Sequence, residues 1–556
     1  RGVKDVDAVG ITFAAGQASA LKVTTIKLTG YAADSGATLD EGTDTTDTGV
    51  SIANATAKVQ LYEAGTGVLI AGTDKISSNL LGTATTGTMT FSNLDWNIPA
   101  GTRKTVLVRV DLSNNTASGT GGDGYAFDIA ATGDVTSLDV DSNTVNPGAA
   151  AVNGTTTPTQ VLTVKNSGSM TLATAASSPL KGALYWGQAN APVSKFRLTA
   201  TDESQFIEKL TIAASSTDED ASARDNVKDV ILSYKNKAGS TMTTTQSFSQ
   251  GASANFNWAT TDANRPYVPK DSSLEIAVNA NMKTKDEGAT QTTGTTADTT
   301  LVQFSLDLVD SFNNSYVNGF RAVGEGSGTV LDGTSTNIAD VLGAYNQTVY
   351  RIFPKIEQVA LSAPYSLLGT PTVFKFSVTA IGLATANLRF DNEHNASGSI
   401  QFEVVASGDS TINTTVSTTF SILDEAGTII DGPSGLRQAT PGVADTSQTI
   451  SITNGAGGVN PLLNASISFN FTGQDIEIAG GETRTFSIRL NNPNQHYANA
   501  GVTGRAPDYF QVTLQDDQAS LINWVGSYGG DTTSLDTPSA TGIIRTLPLF
   551  GPTFQR

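Results

Sequence analysis

The segment Asp95–Ser113, DWNIPAGTRKTVLVRVDLS, decides the fold because its pattern recurs along the chain. In its second half, apolar Val106, Val108 and Val110 alternate with other residues, as in a β-strand that buries one face. The turn Pro99–Gly101 precedes this strand, and glycine supplies the positive φ that many tight turns need. The segment contains nothing catalytic, so it predicts a core β-strand.

Two further copies of the pattern lie downstream, RPYVPKDSSLEIAVNANMK at Arg265–Lys283 and DIEIAGGETRTFSIRLNNP at Asp475–Pro493. A pair of strands opens each unit, near Val9, Val193 and Val373, and the repeat length is about 180 residues. Short strands separated by Gly, Asn, Asp and Ser turns are typical of two-sheet sandwiches. We therefore predict an all-β chain of three tandem immunoglobulin-like β-sandwich modules with almost no helix.

The predicted modules span residues 1–158, 159–347 and 348–556. The second includes the linker strand that leads into it, and the third includes the C-terminal tail. Each unit is longer than an immunoglobulin domain of about 100 residues. We assign the surplus to long polar loop insertions such as Ala33–Gly49 and Lys283–Thr300. The alternative is that each unit contains two smaller sandwiches.

Composition excludes several classes of function. The 556 residues carry a formal net charge of −19 with a pI near 4.5, so the chain lacks the basic surface that nucleic acids require. It has no cysteine, which excludes thiol catalysis, disulfides and cysteine-ligated metals. No apolar run approaches the roughly 20 residues of a membrane-spanning helix. Because the chain begins with Arg1, we expect an upstream segment that has been removed or is not resolved.

The sequence predicts that the protein is not an enzyme. Its only histidines, His394 and His496, lie in polar, loop-like segments, and neither G-x-S-x-G nor H-E-x-x-H occurs. Glycoside hydrolysis needs a pair of carboxylates. The substrate-binding clefts of carbohydrate-active enzymes are also usually lined by aromatic residues. The four tryptophans are instead scattered, and Trp96 and Trp258 lie just before a core strand, which indicates packing.

Two acidic loops have the oxygen ligands that calcium takes. The candidate ligands are Asp34, Asp40, Glu41, Asp44 and Asp47 in one loop and Asp218, Glu219 and Asp220 in the other. Neither loop matches the twelve-residue EF-hand pattern. Bound calcium and a solvated acidic loop therefore both stay open.

Sequons for N-glycosylation are a further candidate feature of the surface. In a chain so rich in Ser and Thr many arise by chance, so they show only that a glycosylating host could modify the protein. The candidate acceptors are Asn54, Asn114, Asn153, Asn346 and Asn395.

The chain ends predict how copies would join. The segment between modules two and three, Tyr350–Pro354, has a similar pattern to Ile544–Pro548 near the C-terminus, whereas module one has only Arg1–Ala8 before its first strand. We predict that the tail packs on a neighbouring subunit and replaces the linker that module one lacks, which gives head-to-tail assembly. The alternative is that an upstream module has been lost and that the tail is disordered. The predicted assembly residues are Leu547, Pro548, Phe550 and Phe554.

In its acidity, its lack of cysteine, its Thr, Ser, Gly, Ala and Asn content and its serial β-sandwich modules, the chain resembles prokaryotic surface-layer and related cell-surface structural proteins. The resemblance implies an extracellular, non-catalytic lattice subunit that self-assembles, often with calcium and glycans. No surface-layer-homology module and no L-P-x-T-G sorting signal is visible, so the means of attachment to a cell is open.

Two other functions remain open from the sequence. The first is an adhesin or a subunit of an extracellular filament or sheath. The second is a polysaccharide-binding or polysaccharide-acting protein. The expected partners are further copies of the chain, with a cell-wall or surface glycan as an additional candidate.

Overall fold

The computed structural model describes the greater part of the chain, with gaps in the loops. The described residues are 3–33, 51–82, 85–113, 123–147, 160–164, 167–214, 223–248, 253–290, 300–308, 319–363, 365, 369–390, 400–407, 415–431, 449–453, 462–469, 477–491, 509–515, 522–528, 535–536 and 543–555. They form an all-β structure, which confirms the predicted fold class. Described helix is limited to single turns such as α1 (Ile52–Ala55), where the Ser51 side chain accepts a hydrogen bond from the amide of Asn54.

Module 1 is a sandwich of two antiparallel sheets. Its strands are β1 (Val6–Ala14), β2 (Leu21–Ala33), β3 (Thr56–Glu63), β4 (Leu69–Ala71), β5 (Leu81–Gly82), β6 (Thr86–Ile98), β7 (Arg103–Leu112), β8 (Gly124–Asp128), β9 (Val135–Leu138), β10 (Thr144–Val145) and β11 (Leu162–Thr163). The first sheet has the order β1-β7-β3-β4. The second has the order β10-β9-β2-β6-β5, and β8 joins it through β2 and carries β11. Single-turn 3₁₀ helices lie at Ser77–Asn79 and Thr132–Asp134.

Module 2 repeats this plan with one additional edge strand in the first sheet and a further three-stranded sheet. Its strands are β12 (Ser169–Thr174), β13 (Gly182–Tyr185), β14 (Ala191–Thr201), β15 (Gln205–Ala214), β16 (Val227–Lys235), β17 (Thr241–Ser247), β18 (Ser253–Asn257), β19 (Tyr267–Val268), β20 (Ser272–Met282), β21 (Leu301–Val302), β22 (Phe304–Leu306), β23 (Phe320–Gly324), β24 (Val330–Asp332) and β25 (Gln347–Tyr350). The first sheet is β12-β14-β20-β16-β17. The others are β18-β15-β23-β24, to which β19 and β22 attach through β15, and β13-β25-β21. A 3₁₀ turn spans Lys285–Glu287.

Module 3 has the same first sheet as module 2. Its strands are β26 (Phe353–Gln358), β27 (Thr372–Ile381), β28 (Ala386–Arg389), β29 (Ile400–Ser407), β30 (Thr415–Leu423), β31 (Ile429–Asp431), β32 (Thr449–Thr453), β33 (Leu462–Phe469), β34 (Ile478–Ala479), β35 (Thr483–Leu490), β36 (Tyr509–Leu514), β37 (Trp524–Tyr528), β38 (Leu535–Asp536), β39 (Leu549–Phe550) and β40 (Phe554–Gln555). The first sheet is β26-β27-β35-β30-β31, with β32 paired to β30. The others are β34-β28-β37-β38 and β33-β29-β36-β39, with β40 also paired to β36.

An irregularity at the same place in each module shows that the three first sheets are equivalent. The opening strand shifts register against its partner at Asp7/Val9 in β1, at Pro192/Ser194 in β14 and at Thr372/Phe374 in β27. The partners β7, β20 and β35 are the strands of the recurring sequence pattern, which confirms it as a core strand. This register makes Thr12, Arg197 and Ser377 equivalent positions.

The hydrophobic core is divided between module 1 and the rest. Module 1 has its own core cluster, whereas modules 2 and 3 share one continuous cluster that runs from Met170 to Phe554. The strand pairing shifts both predicted module boundaries. Leu162–Thr163 pairs with β8 and so completes module 1, and Gln347–Tyr350 pairs with β13 and β21 and so completes module 2.

Candidate functional site

The predicted calcium ligands cannot be placed on the fold. Asp34, Asp40, Glu41, Asp44 and Asp47 and the group Asp218, Glu219 and Asp220 lie outside the described residues. Within the described part of the chain, no three His, Asp or Glu side chains cluster in a way that could bind a metal ion. Calcium binding by the two loops stays a prediction.

The glycosylation candidates occupy different environments. Asn54 is exposed in α1, and Asn346 is half-buried just before β25. The Thr348 of the second sequon is fully buried in β25. Asn114, Asn153 and Asn395 lie outside the described residues, as do both histidines.

All four tryptophans serve packing, as the sequence predicted for two of them. Each is at most 8% exposed. Each indole N–H also has a protein acceptor, which removes the cost of burying a polar group. The acceptors are Glu63 for Trp96, Asn226 for Trp186, the Tyr234 hydroxyl for Trp258 and the Ile352 carbonyl for Trp524. No tryptophan is therefore exposed as a platform for a sugar ring.

An aromatic cluster joins modules 2 and 3. Trp186 of module 2 contacts Tyr528 of module 3, with ring centroids 5.9 Å apart. The guanidinium of Arg351, which is 4% exposed, lies 5.2 Å from the Trp186 ring centroid. Tyr350 packs on Trp524 at 5.2 Å, and the Trp524 indole donates to the Ile352 carbonyl at 2.9 Å. We call this cluster the aromatic joint; it fixes the two modules against each other.

The C-terminal tail packs on its own chain, and its packing on a neighbouring subunit stays a prediction. Phe554 of β40 is 2% exposed and contacts Phe510 of β36 and Tyr365. Phe550 of β39 pairs with Thr513 but its side chain is 60% exposed. Leu547 is half-buried against the shared core, and Pro548 is exposed.

The tail also contacts module 2. The Arg545 guanidinium donates to the backbone carbonyls of Leu180, at 2.5 Å, and Lys181, at 3.0 Å. Ile544 is buried in the shared core. The similarity between Ile544–Pro548 and Tyr350–Pro354 therefore does not extend to structure, because Phe353–Gln358 forms an edge strand and Ile544–Pro548 leads into strands that close module 3.

A groove of about 310 Å³ lies beside this contact, between modules 2 and 3. Its walls are mainly apolar, and Lys355 and Arg545 supply its cationic groups. The apolar residues include Pro179, Leu184, Phe353, Ile381 and Ile544.

A half-buried carboxylate ties the first linker to module 2. Glu203 accepts hydrogen bonds from the amides of Gly168, Gly326 and Ser327 and from the Ser327 hydroxyl. Burial alone would raise the pKa of Glu203, but these donors, led by Ser327, favour the charged form and hold the pKa below its usual value of 4.5. Ionised Glu203 therefore stabilises the end of module 2 that receives the linker.

Module 1 presents an open sheet edge that the other modules cover. Among the residues that the structure describes, β1 is the last strand of its sheet, whereas the equivalent strands β14 and β27 are covered by β12 and β26. The inward residues Ile11 and Phe13 of β1 are only half-buried. The sequence did not predict that Ile11 and Phe13 are only half-buried. Their burial depends on whether another strand pairs beside β1, and the sequence of β1 does not specify that strand.

Comparisons with known proteins give no family. No family model and no curated protein matches the chain. Three solved structures illustrate the similarities found. A putative membrane anchored protein from Corynebacterium diphtheriae is 11% identical over 97% of this chain and 89% of that chain, with a TM-score of 0.16. The CupB6 tip adhesin from Pseudomonas aeruginosa is 9% identical over 67% of this chain and 97% of that chain, with a TM-score of 0.16.

The third is the C-terminal domain of the Streptococcus pyogenes antigen I/II-family protein AspA, 8% identical over 70% of this chain and 98% of that chain, with a TM-score of 0.14. TM-scores this low define neither a shared fold nor a shared function.

No helix among the described residues has the length and apolar character needed to cross a bilayer.

Proposed function

We propose that the chain is a non-catalytic structural protein of a prokaryotic cell surface, which self-assembles into an extracellular layer or array. The observation that carries the proposal is the aromatic joint with its continuous core, because it makes two sandwich modules one rigid body. A lattice needs subunits whose contact surfaces keep a fixed geometry. The acidic, cysteine-free composition supports an extracellular location but does not decide it.

Calcium is the proposed cofactor of this assembly. The acidic loops with Asp34–Asp47 and Asp218–Asp220 offer hard oxygen ligands at the surface of an already acidic chain. A bound divalent cation would offset repulsion between subunits, each with a net charge of −19. Chelation should therefore weaken assembly.

An adhesin or a filament or sheath subunit is the second candidate. The apolar groove between modules 2 and 3, with Lys355 and Arg545, is the feature that favours a bound ligand. A polysaccharide-binding or polysaccharide-acting role receives less support, since all four tryptophans are buried.

Electron microscopy of the purified chain, with calcium and with a chelator, tests the proposal. Ordered sheets or arrays that disperse in chelator are the expected result. The variant Phe550→Ser keeps β39 and β40 and tests whether this exposed side chain takes part in the contacts. Monomers dispersed under every condition would exclude self-assembly and favour the adhesin.

A further inference from the structure

We propose that the groove between modules 2 and 3 binds an anionic amphiphile, a linear hydrocarbon chain that ends in a carboxylate. The hydrocarbon would lie on the apolar walls, and the carboxylate would contact Arg545 and Lys355. This ligand site goes beyond the structural role proposed above, and binding there does not depend on self-assembly.

The apolar walls of the groove come from three separate segments of the chain. β13 supplies Ala183 and Leu184, β26 supplies Phe353 and Pro354, and the tail supplies Ile544. Ala183 and Phe353 are only half-buried, so the groove leaves apolar surface in contact with water. A hydrocarbon chain that covers this surface gains free energy in proportion to the apolar area removed from water. The volume of about 310 Å³ lies at the lower end of the range for small-molecule sites.

Arg545 places a positive charge at the groove without a carboxylate partner. Its guanidinium donates to the carbonyls of Leu180 and Lys181, and no carboxylate of the described residues pairs with it. Gly182 makes room for the guanidinium, since a Cβ at that position would lie 3.0 Å from Nη2 of Arg545. Neutral carbonyls orient the guanidinium but leave its charge unbalanced, which favours an anion at this end of the groove.

Lys355 is a second cation for the same anion. Glu357 lies 2.7 Å from its ammonium group and offsets its charge. Both side chains are nearly half exposed, at 46% and 48%, so their ion pair is weak and Lys355 is free to turn to a ligand. A carboxylate in the groove therefore competes with Glu357 for Lys355.

The edge of β26 at the groove is unsuited to pairing with a peptide. The amide of Val359 donates to the Lys375 carbonyl, and hydrogen-bonded residues alternate along an antiparallel pair, so Lys355 bonds to β27. Pro354 therefore faces away from β27, and it has no amide hydrogen. Proline at such a position is typical of edges that do not accept a further strand.

The backbone beside β13 is partly occupied as well. The Lys181 carbonyl accepts a hydrogen bond from Arg545, and the Tyr185 amide donates to the Gln188 side chain. A bound peptide strand would need several free amides and carbonyls in a row. The groove therefore favours a hydrocarbon chain over an extended peptide.

Isothermal titration calorimetry of the full chain with decanoate is the first test, with decanol and decylamine as probes of similar length. All three are used below the concentrations at which they form micelles or separate from water. Decanoate should bind saturably and most tightly, and decylamine most weakly, because its ammonium group would face Arg545. Among hexanoate, octanoate and decanoate, the affinity should rise by about fourfold for each buried methylene until the groove is filled.

Charge variants assign the binding to this groove. Arg545→Gln and Lys355→Gln should each weaken decanoate binding by about three- to fivefold and leave decanol binding unchanged. Glu357→Gln should instead strengthen decanoate binding by about threefold, because it frees Lys355, and a loss of folding would not produce a gain. Lys22→Gln is the matched control, since Lys22 is an equally exposed lysine that pairs with Asp95 in module 1.

The variant Ala183→Leu tests the hydrocarbon part of the site. Its larger side chain would occupy the groove, so hexanoate and decanoate should bind it with similar, weakened affinity. Circular dichroism of each variant establishes that it is folded.

Any of three results would overturn the inference. They are the absence of saturable decanoate binding, equal affinities for decanoate and decylamine, and decanoate binding that the charge variants all leave unchanged. Tighter binding of a short peptide with a free C-terminal leucine than of decanoate would overturn it too, because the ligand would then be a peptide end. Electron microscopy without decanoate tests self-assembly separately, so neither result decides the other.

Discussion

At the scale of the residue, Glu203 and Gly480 show how single positions determine local structure. Glu203 holds a loop and the first linker through four hydrogen bonds to one carboxylate. Gly480 belongs to the turn Ala479–Gly481, which lies just before β35. The turn is predictable from its glycines, but the contacts of Glu203 are not, since three of its four hydrogen bonds join residues more than a hundred positions apart.

Glu203→Gln should lower the thermal stability of module 2 at neutral pH. The lowered pKa of Glu203 means that its contribution is fully present above the ordinary value of 4.5 and is lost as the pH falls through the folded-state pKa. The melting temperatures of the wild type and the variant should therefore converge as the pH falls below the folded-state pKa of Glu203. Calorimetry between pH 7 and pH 3 measures this, with surface Glu357→Gln as control. A constant difference across this range would contradict the assignment.

Gly480→Ala should destabilise module 3 by about 2 kcal/mol, because the new Cβ would lie 2.0 Å from the Leu383 carbonyl oxygen. Gly16→Ala is the control, since no atom lies within 4 Å of its Cβ position. Differential scanning calorimetry measures each substitution in the unfolding transition of the module that carries it. An equal effect of the two substitutions would show that backbone flexibility, not the close contact, requires the glycine.

At the scale of the element, the closing strands β39 and β40 decide the role of the tail. The sequence singled out Leu547, Pro548, Phe550 and Phe554 as predicted assembly residues. It did not show where they pack, because a short strand pairs equally well in cis or in trans. The structure places β40 on β36 of the same chain.

Phe554→Ala should destabilise module 3 by about 3 kcal/mol, because the ring is buried against Phe510 and Tyr365. Phe550→Ala should change its stability little, since that side chain is 60% exposed. Limited proteolysis of the C-terminus provides the measurement: cleavage should accelerate in the first variant alone. Equal rates for the two variants would indicate that the tail does not pack as described.

At the scale of the whole molecule, the two separate cores predict two unfolding units. Modules 2 and 3 share one cluster and the aromatic joint, whereas the core of module 1 is separate. Three equivalent modules in the sequence would suggest three units. Cooperativity depends instead on which modules share buried surface.

Differential scanning calorimetry of the chain should therefore show two transitions. A fragment of residues 1–164 should reproduce one of them, because it retains β11 and the whole module 1 core. Trp186→Ala should split the second transition, that of modules 2 and 3, into two, because it removes the contacts with Tyr528 and Arg351. Three transitions in the wild type would refute a shared core.

The sequence by itself determined the all-β class, the threefold repeat and the recurring core strand. These features follow from the alternation of apolar and polar residues and from turn residues. Both signals act over a few positions and do not depend on distant parts of the chain. Tertiary structure alone decided the shared core, the docking of the tail and the open edge of β1. Each depends on which distant surfaces meet; Arg545, for example, reaches Leu180 across 365 positions of the chain. Local patterning specifies a strand and its buried face, but burial against a neighbour is settled only when the chain is folded.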